Sequence, residues 1–217
     1  MSSEFLGLDR VWYASYGSNL LAERFGYYLS GGSMGQQTVG HIGARDSTPA
    51  TANRSWKARH ELRFGGESRR WDGGGVAFVN AEPGSGECVV RLWLLTAAQF
   101  DDVAAQENQM RPGDLVVDHA AVRDVGHLDV VDSWYGRVLW LGDVEGRAVF
   151  TFTSPVVRSS SPPARSYLDV VGRGLLECGL TTQEAAEYLH NAAGVDESWT
   201  QPEIAELLSD ESPESNR

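Results

Sequence analysis

The sequence predicts a single mixed domain, α/β or α+β, built from many strands and a few intervening helices. Apolar runs of strand length, among them "VWYASY", "GGVAFVN", "ECVVRLWLL" and "RAVFTFTS", are punctuated by Gly and Pro turns. Between them lie stretches with helical spacing and recognisable ends. At 217 residues, with 41% hydrophobic and 22% charged residues, the chain has the length and composition to bury a core unaided.

In chain order, Val11 to Tyr16 reads as the first strand, and Asn19 to Leu29 as a helix with Leu20, Leu21, Phe25, Tyr28 and Leu29 on one apolar face. From Ser30 to His60 the chain turns rich in Gly, Ser, Thr and Ala and reads as a long loop of the kind that is usually functional or disordered. "HELRFGG", "GGVAFVN" and "ECVVRLWLL" follow as strands. "TAAQFDDVAAQEN" has helical spacing, with Thr96 as N-cap and Asp101 and Asp102 assigned to its solvated face. "DLVVDHAAV", "GRVLWLGDV" and "RAVFTFTS" read as further strands, the last two joined at Glu145-Gly146. Trp12, Val76, Phe78, Leu92, Leu94, Val116, Leu139 and Phe150 are expected on one buried face.

Ser161-Pro162-Pro163 in front and Gly179 behind bracket a helix in the Pro-first, Gly-last manner, and Thr181 with Glu184 forms a capping-box pattern for the next. Residues 196–217 are acidic. They read as a tail with one short, loosely docked helix, and residues 211–217 are expected to be mobile and dispensable. The main domain is therefore placed at residues 1–195.

Eighteen basic against thirty acidic side chains leave a net charge of −12, a surface that repels phosphate backbones and makes nucleic acid a poor partner. Cys88 and Cys178 lie in unrelated segments without CxxC spacing and read as free thiols. The start "MSSEFLGLDR" lacks a basic region followed by an apolar run, and no stretch reaches the length of a membrane span. A cytoplasmic protein is expected. The five histidines are scattered, so neither a metal site nor a base for a nucleophile is visible.

Two features carry chemistry. The first is Tyr16-Gly17-Ser18-Asn19, a turn from strand straight into helix. A helix beginning there offers unpaired amides and the positive end of its dipole to an anion, and Gly17 lets the backbone approach a ligand. An ordinary N-cap turn is the alternative. The turn lacks the Lys of a P-loop and the Gly-x-Ser-x-Gly of a nucleophile elbow. The second is Glu107, late in an amphipathic helix and just before Pro112-Gly113. The negative helix end raises a carboxylate's pKa toward the range of a proton shuttle; taken alone, Glu107 reads as an exposed surface acid.

Together, "YASYGSNLLAERF", "WDGGGVAF", "VVRLWLLTAAQFDDVAAQEN" and "SSPPARSYLDVVGRGLLECGL" resemble, in order and spacing, the gamma-glutamylcyclotransferase family over residues 11–190. The resemblance implies an α+β fold, a small mixed β-barrel flanked by helices. It implies a cofactor-free enzyme, of transferase or lyase type, that converts a gamma-glutamyl amine or amino acid to 5-oxoproline and the released amine. Glu107 would be the general acid/base. Tyr16, Gly17, Ser18, Asn19 and Leu20, with Gly75 and Tyr167, would bind the substrate. A related amide hydrolase or transferase, or a non-catalytic small-anion module of the same fold, is the alternative. The expected partner is a small gamma-glutamyl molecule rather than nucleic acid or membrane, and a homodimer is compatible with the family. Two departures stand out: "NQMRPGDLV" lacks the aromatic that the family places after its Glu, and residues 31–60 have no counterpart. Arg45, Asp46, Arg54 and Trp56 of that segment are expected to rebuild the pocket mouth.

Overall fold

The structure is a computed structural model that describes residues 8–34, 40–84, 86–195 and 198–210. The expectation for residues 211–217 lies outside the described residues.

Strands β1 (Arg10–Ser15), β2 (Asn53–Ala58), β5 (Cys88–Thr96), β6 (His127–Asp129), β7 (Arg137–Val144) and β8 (Arg147–Thr153) form one sheet in the order β2-β5-β1-β8-β7-β6. Only the β1–β8 pairing is parallel; the other pairings are antiparallel. Strands β3 (Leu62–Gly65) and β4 (Val76–Val79) make a separate antiparallel pair. The large sheet has two free edges, β2 and β6, so the barrel expected from the resemblance is replaced by an open sheet.

Both faces of that sheet are covered, which is why its central strands bury successive residues. Trp12 and Ala14 of β1 face a core shared with β3, β4 and the C-terminal helices α4 (Arg165–Glu177), α5 (Thr182–His190) and α6 (Gln201–Ser209). Val11 and Tyr13 face the opposite core, formed with α1 (Ala22–Ser30), α2 (Ala97–Glu107) and α3 (His119–Val125). Leu92 is likewise buried on one face and Trp93 and Leu95 on the other. Leu94, expected in the core, is only partly buried; Trp12, Val76, Phe78 and Leu139 are buried in one core, but Phe150, expected on the same face, is buried in the opposite one.

Several elements follow from local chemistry. Thr96 and Gln99 close a capping box on α2, as Thr181 and Glu184 do on α5. Glu145 and Gly146 both take positive φ, the requirement of a tight hairpin between β7 and β8. Others differ from the sequence reading. "DLVVDHAAV" is not a strand: the Asp118 carboxylate caps the Ala121 amide and starts α3, leaving Val116 in the preceding loop at 77% exposure. The loop expected over 30–60 contains β2, an edge strand whose "NRSWKA" is mostly exposed and so lacks an apolar alternation to read. The short helix α6 is firmly seated, with Ile204 fully buried and Leu207 and Leu208 nearly so.

Candidate active site

At the C-terminal end of β1 the chain lines a cavity of about 1100 Å³. Its walls come from Tyr13 and the Tyr16–Asn19 turn, from the end of α2, from the Glu67–Asp72 segment, and from Trp134 and Tyr135.

The turn is not a strand running straight into a helix. Ser18–Leu20 form one 3-10 turn, Leu21 is extended, and only then does α1 begin. The first amide of α1, that of Ala22, is taken by Glu177 at 2.9 Å, so this helix end is capped by the protein's own carboxylate. Asn19 is the residue of the turn whose side chain meets Glu107. Its carbonyl accepts from Ser15 Oγ and Trp93 Nε1, at 2.9 and 3.1 Å, which fixes the side chain's direction. Its Nδ2 donates to Glu107 Oε1 at 2.9 Å and to the Tyr13 hydroxyl at 3.2 Å.

Glu107 closes α2 and reaches this point with the Tyr28 hydroxyl as a further partner. Burial pushes its pKa up; the Tyr28 hydrogen bond, the Arg24 charge, Asn19 and the Arg70 charge oppose that without cancelling it. The carboxylate is thus partly desolvated, fixed by two neutral donors, and open to the cavity.

Tyr167 of α4 is buried, and its hydroxyl oxygen accepts from the Ala77 amide at 3.1 Å. A Cβ at Gly17 would stand 2.8 Å from that hydroxyl, so the close approach Gly17 permits is to Tyr167 as well as to the cavity it lines. Tyr16 also lines the cavity, but its hydroxyl donates to the Phe152 carbonyl at 2.7 Å. Ser18 is on the wall beside it. Two expected binding residues lie elsewhere. Leu20 is fully buried in the core, its turn packed on α4. Gly75 is a chain crossing: a Cβ there would meet the Ser161 carbonyl at 2.1 Å, and its amide bonds Pro162.

The aromatic side of the cavity comes from a segment remote in sequence. Trp134 and Tyr135 line it from the loop before β7, and the Tyr135 hydroxyl donates to the Ala77 carbonyl at 3.0 Å. The sequence reading missed these, along with Arg24, Tyr28, His41 and Arg70; the Tyr-Gly turn preceding Arg24 and Tyr28 was the nearest available signal. His41 is what the 31–60 segment brings to the cavity. Arg54 and Trp56 belong to edge strand β2, and Arg45 and Asp46 lie along α2, where Asp102 binds the Arg45 amide and Gln99 binds the Asp46 carbonyl. Asp101 and Asp102 are accordingly buried rather than solvated.

Among the described residues no three His, Cys, Asp or Glu side chains gather where a metal ion could sit, and no helix is long and apolar enough to cross a membrane.

These features define an α+β fold of the gamma-glutamyl cyclotransferase-like kind. A solved structure described as a gamma-glutamyl cyclotransferase superposes with a TM-score of 0.52, at 18% identity, over 92% of this chain and 98% of the other. A human structure described as the uncharacterized protein loc79017 gives 0.51 at 17% identity, over 93% and 99%. No family model matches the sequence. An Arabidopsis thaliana protein called histone deacetylase 5 is 34% identical over an alignment that takes in 84% of this chain; the chain spans 30% of that protein's length.

Proposed function

We propose that the cavity converts a gamma-glutamyl amine or amino acid to 5-oxoproline and the free amine, with Glu107 as general acid/base. The observation that carries the reading is the Glu107 carboxylate in the cavity, held 2.9 Å from the Asn19 amide nitrogen and raised in pKa by burial. A carboxylate so placed is a stronger base than one in water.

Glu107 takes a proton from the substrate's alpha-ammonium. The freed amine attacks the gamma-carbonyl carbon and forms the ring C–N bond, a step favoured because both groups sit on one molecule. Charge developing on the carbonyl oxygen needs donors. The Tyr167 oxygen already accepts from Ala77, which leaves its proton for that task beside the backbone of the Tyr16–Asn19 turn. The ring nitrogen still carries one proton too many, which also passes through the Glu107 carboxylate. The bond to the leaving nitrogen breaks as Glu107 delivers the first proton to it, and the second leaves with the released amine as its ammonium. Asn19 and Tyr28 keep the carboxylate aimed at both nitrogens in turn. The chain's own residues supply each step, so the reading requires no cofactor.

The test is incubation with a panel of gamma-glutamyl amides and gamma-glutamyl amino acids, with mass spectrometry for 5-oxoproline. Glu107→Gln should keep its circular dichroism spectrum and lose about a hundredfold or more in turnover, the scale of a missing general acid/base. Free glutamate as the product would indicate hydrolysis instead. Absence of 5-oxoproline across the panel, or a Gln variant as fast as the parent, would remove the reading.

A further inference from the structure

The cavity wall at Glu67–Asp72 carries a cation held in an unusual way. Arg70 is exposed and lines the cavity, and its Nη1 lies 3.0 Å from His41 Nε2. The His41 ring in turn lies on the Tyr28 ring, with centroids 3.8 Å apart. Tyr28 is the residue whose hydroxyl serves Glu107. Arg70 is thereby tied, through one ring inclined at 35° to its neighbour, to the wall that bears Glu107.

The charge state of His41 decides what this contact does. Burial and the flanking Arg24 and Arg70 guanidinium groups push its pKa down to about 3, so at neutral pH the imidazole is uncharged. Arg70 donates to Nε2, which places the ring proton on Nδ1. Several other arginines are held by carboxylates: Arg45 with Asp102, Arg91 with Glu177, Arg123 with Asp143 and Arg137 with Asp129. A carboxylate orients a guanidinium and neutralises it in the same act. A neutral imidazole orients it and leaves its full charge available. Among the described residues no carboxylate lies within ion-pair distance of Arg70. The acids nearest in sequence are Glu67, which is exposed, and Asp72, which accepts from Ser166 at 2.9 Å. In a chain of net charge −12, a cavity cation with no carboxylate in ion-pair contact, its charge reaching Glu107 only from a distance, is a specific feature rather than part of a basic surface.

We propose that Arg70, oriented by the His41 imidazole that packs on Tyr28, recognises a carboxylate on the molecule that enters this cavity. The proposal deepens the cyclotransferase reading and rests on it for the substrate's identity. Two carboxylates qualify, that of the glutamyl alpha-carbon and one on the leaving portion. Guanidinium–carboxylate hydrogen bonds are charge-assisted and match two oxygens to two N–H groups, which selects carboxylate over amide.

The test compares the parent protein with Arg70→Gln in two assays. In the first, KM is measured for gamma-glutamylglycine and for gamma-glutamylmethylamine, which lacks the leaving-group carboxylate. In the second, 5-oxoproline and its neutral carboxamide are titrated by calorimetry. Arg70→Gln should raise KM by roughly tenfold or more, the scale of one lost hydrogen bond to a charged group, with a smaller change in kcat. A rise for both substrates assigns the glutamyl carboxylate, and a rise for gamma-glutamylglycine alone assigns the leaving portion. His41→Asp, which sets a carboxylate against Arg70, should lose more than His41→Asn, which stays neutral. Unchanged KM for both substrates together with unchanged 5-oxoproline affinity overturns the proposal. If the parent turns over neither substrate, the cyclotransferase reading falls and Arg70 is judged by titration of the same four compounds. Carboxylate-dependent binding that Arg70→Gln abolishes would still support it, and binding indifferent to the carboxylate would overturn it.

Discussion

Asn108 and Tyr135 exchange hydrogen bonds: Asn108 Nδ2 donates to the Tyr135 carbonyl at 3.1 Å, and the Tyr135 amide donates to Asn108 Oδ1 at 3.2 Å. The same Nδ2 donates to the Ala104 carbonyl at 2.9 Å. One side chain thus joins the end of the helix that bears Glu107 to the loop that brings Trp134 and Tyr135 to the cavity. Asn108→Ala should cost about 1–3 kcal/mol in urea denaturation, since buried backbone groups lose their partner. Calorimetry should also show weaker binding of 5-oxoproline. Parent-like values in both measurements would mean that the loop is held by other contacts.

Gly17 and Tyr167 should be energetically coupled. A methyl group at Gly17 would press on the Tyr167 hydroxyl at 2.8 Å and on Ala77 Cβ at 3.3 Å. Gly17→Ala should therefore cost roughly 1–3 kcal/mol, the range of a small overpacking. In a Tyr167→Phe background, where the hydroxyl is gone, the same change should cost less. Equal costs in the two backgrounds would show that the methyl group is accommodated without touching Tyr167.

Asp102 is the buried anchor of the 43–48 stretch. Its side chain is 1% exposed and accepts from both the amide and Nε of Arg45, at 2.9 and 3.0 Å. Asp102→Asn keeps the shape but weakens the charged contact and faces a donor with a donor. A loss of about 1–3 kcal/mol is expected from chemical denaturation. A midpoint within error of the parent would show that the Arg45 contact adds nothing net to stability.

Asp101 Oδ1 and His119 Nε2 face each other at 3.5 Å between α2 and α3. Burial raises Asp101 from 3.8 to about 7 and lowers His119 from 6.5 to about 4. Between about pH 4 and 6.5 the folded pair holds one proton, on Asp101, and the unfolded pair also holds one, on His119. The two linkage slopes therefore cancel. Above that window Asp101 alone still holds a folded-state proton, so stability falls as pH rises to about 7. Asp101→Asn removes one half of the balance. The variant should lose stability relative to the parent as pH drops from 6.5 toward 4, and denaturation midpoints across that range check it. A constant difference would show that the two groups do not titrate as a pair.

What could be read from the sequence alone was decided within a few residues. Thr96 with Gln99 and Thr181 with Glu184 start helices wherever they are placed, because the cap closes on its own backbone. Glu145-Gly146 turns because of its own φ angles, and the strand ending at the Tyr16–Asn19 turn shows in its own apolar run. Glu107 was legible as a late residue of α2, but its partners were not. Asn19 lies 88 positions away, and their meeting depends on how the helix crosses the sheet.

The tertiary structure alone decided the rest, for the same reason each time: a polar or exposed residue carries no signal of the distant group that receives it. Asp101 and Asp102 look like a solvated pair until Arg45 and His119 arrive from other segments. "NRSWKA" becomes a strand because β5 offers it an edge, not because it alternates. The sheet stays open because β2 and β6 end it on either side without pairing to each other. His41 and Arg70, 29 positions apart, meet only where both reach the cavity. Local backbone chemistry writes helix ends and turns into the sequence, whereas burial and charge pairing are properties of the packed chain.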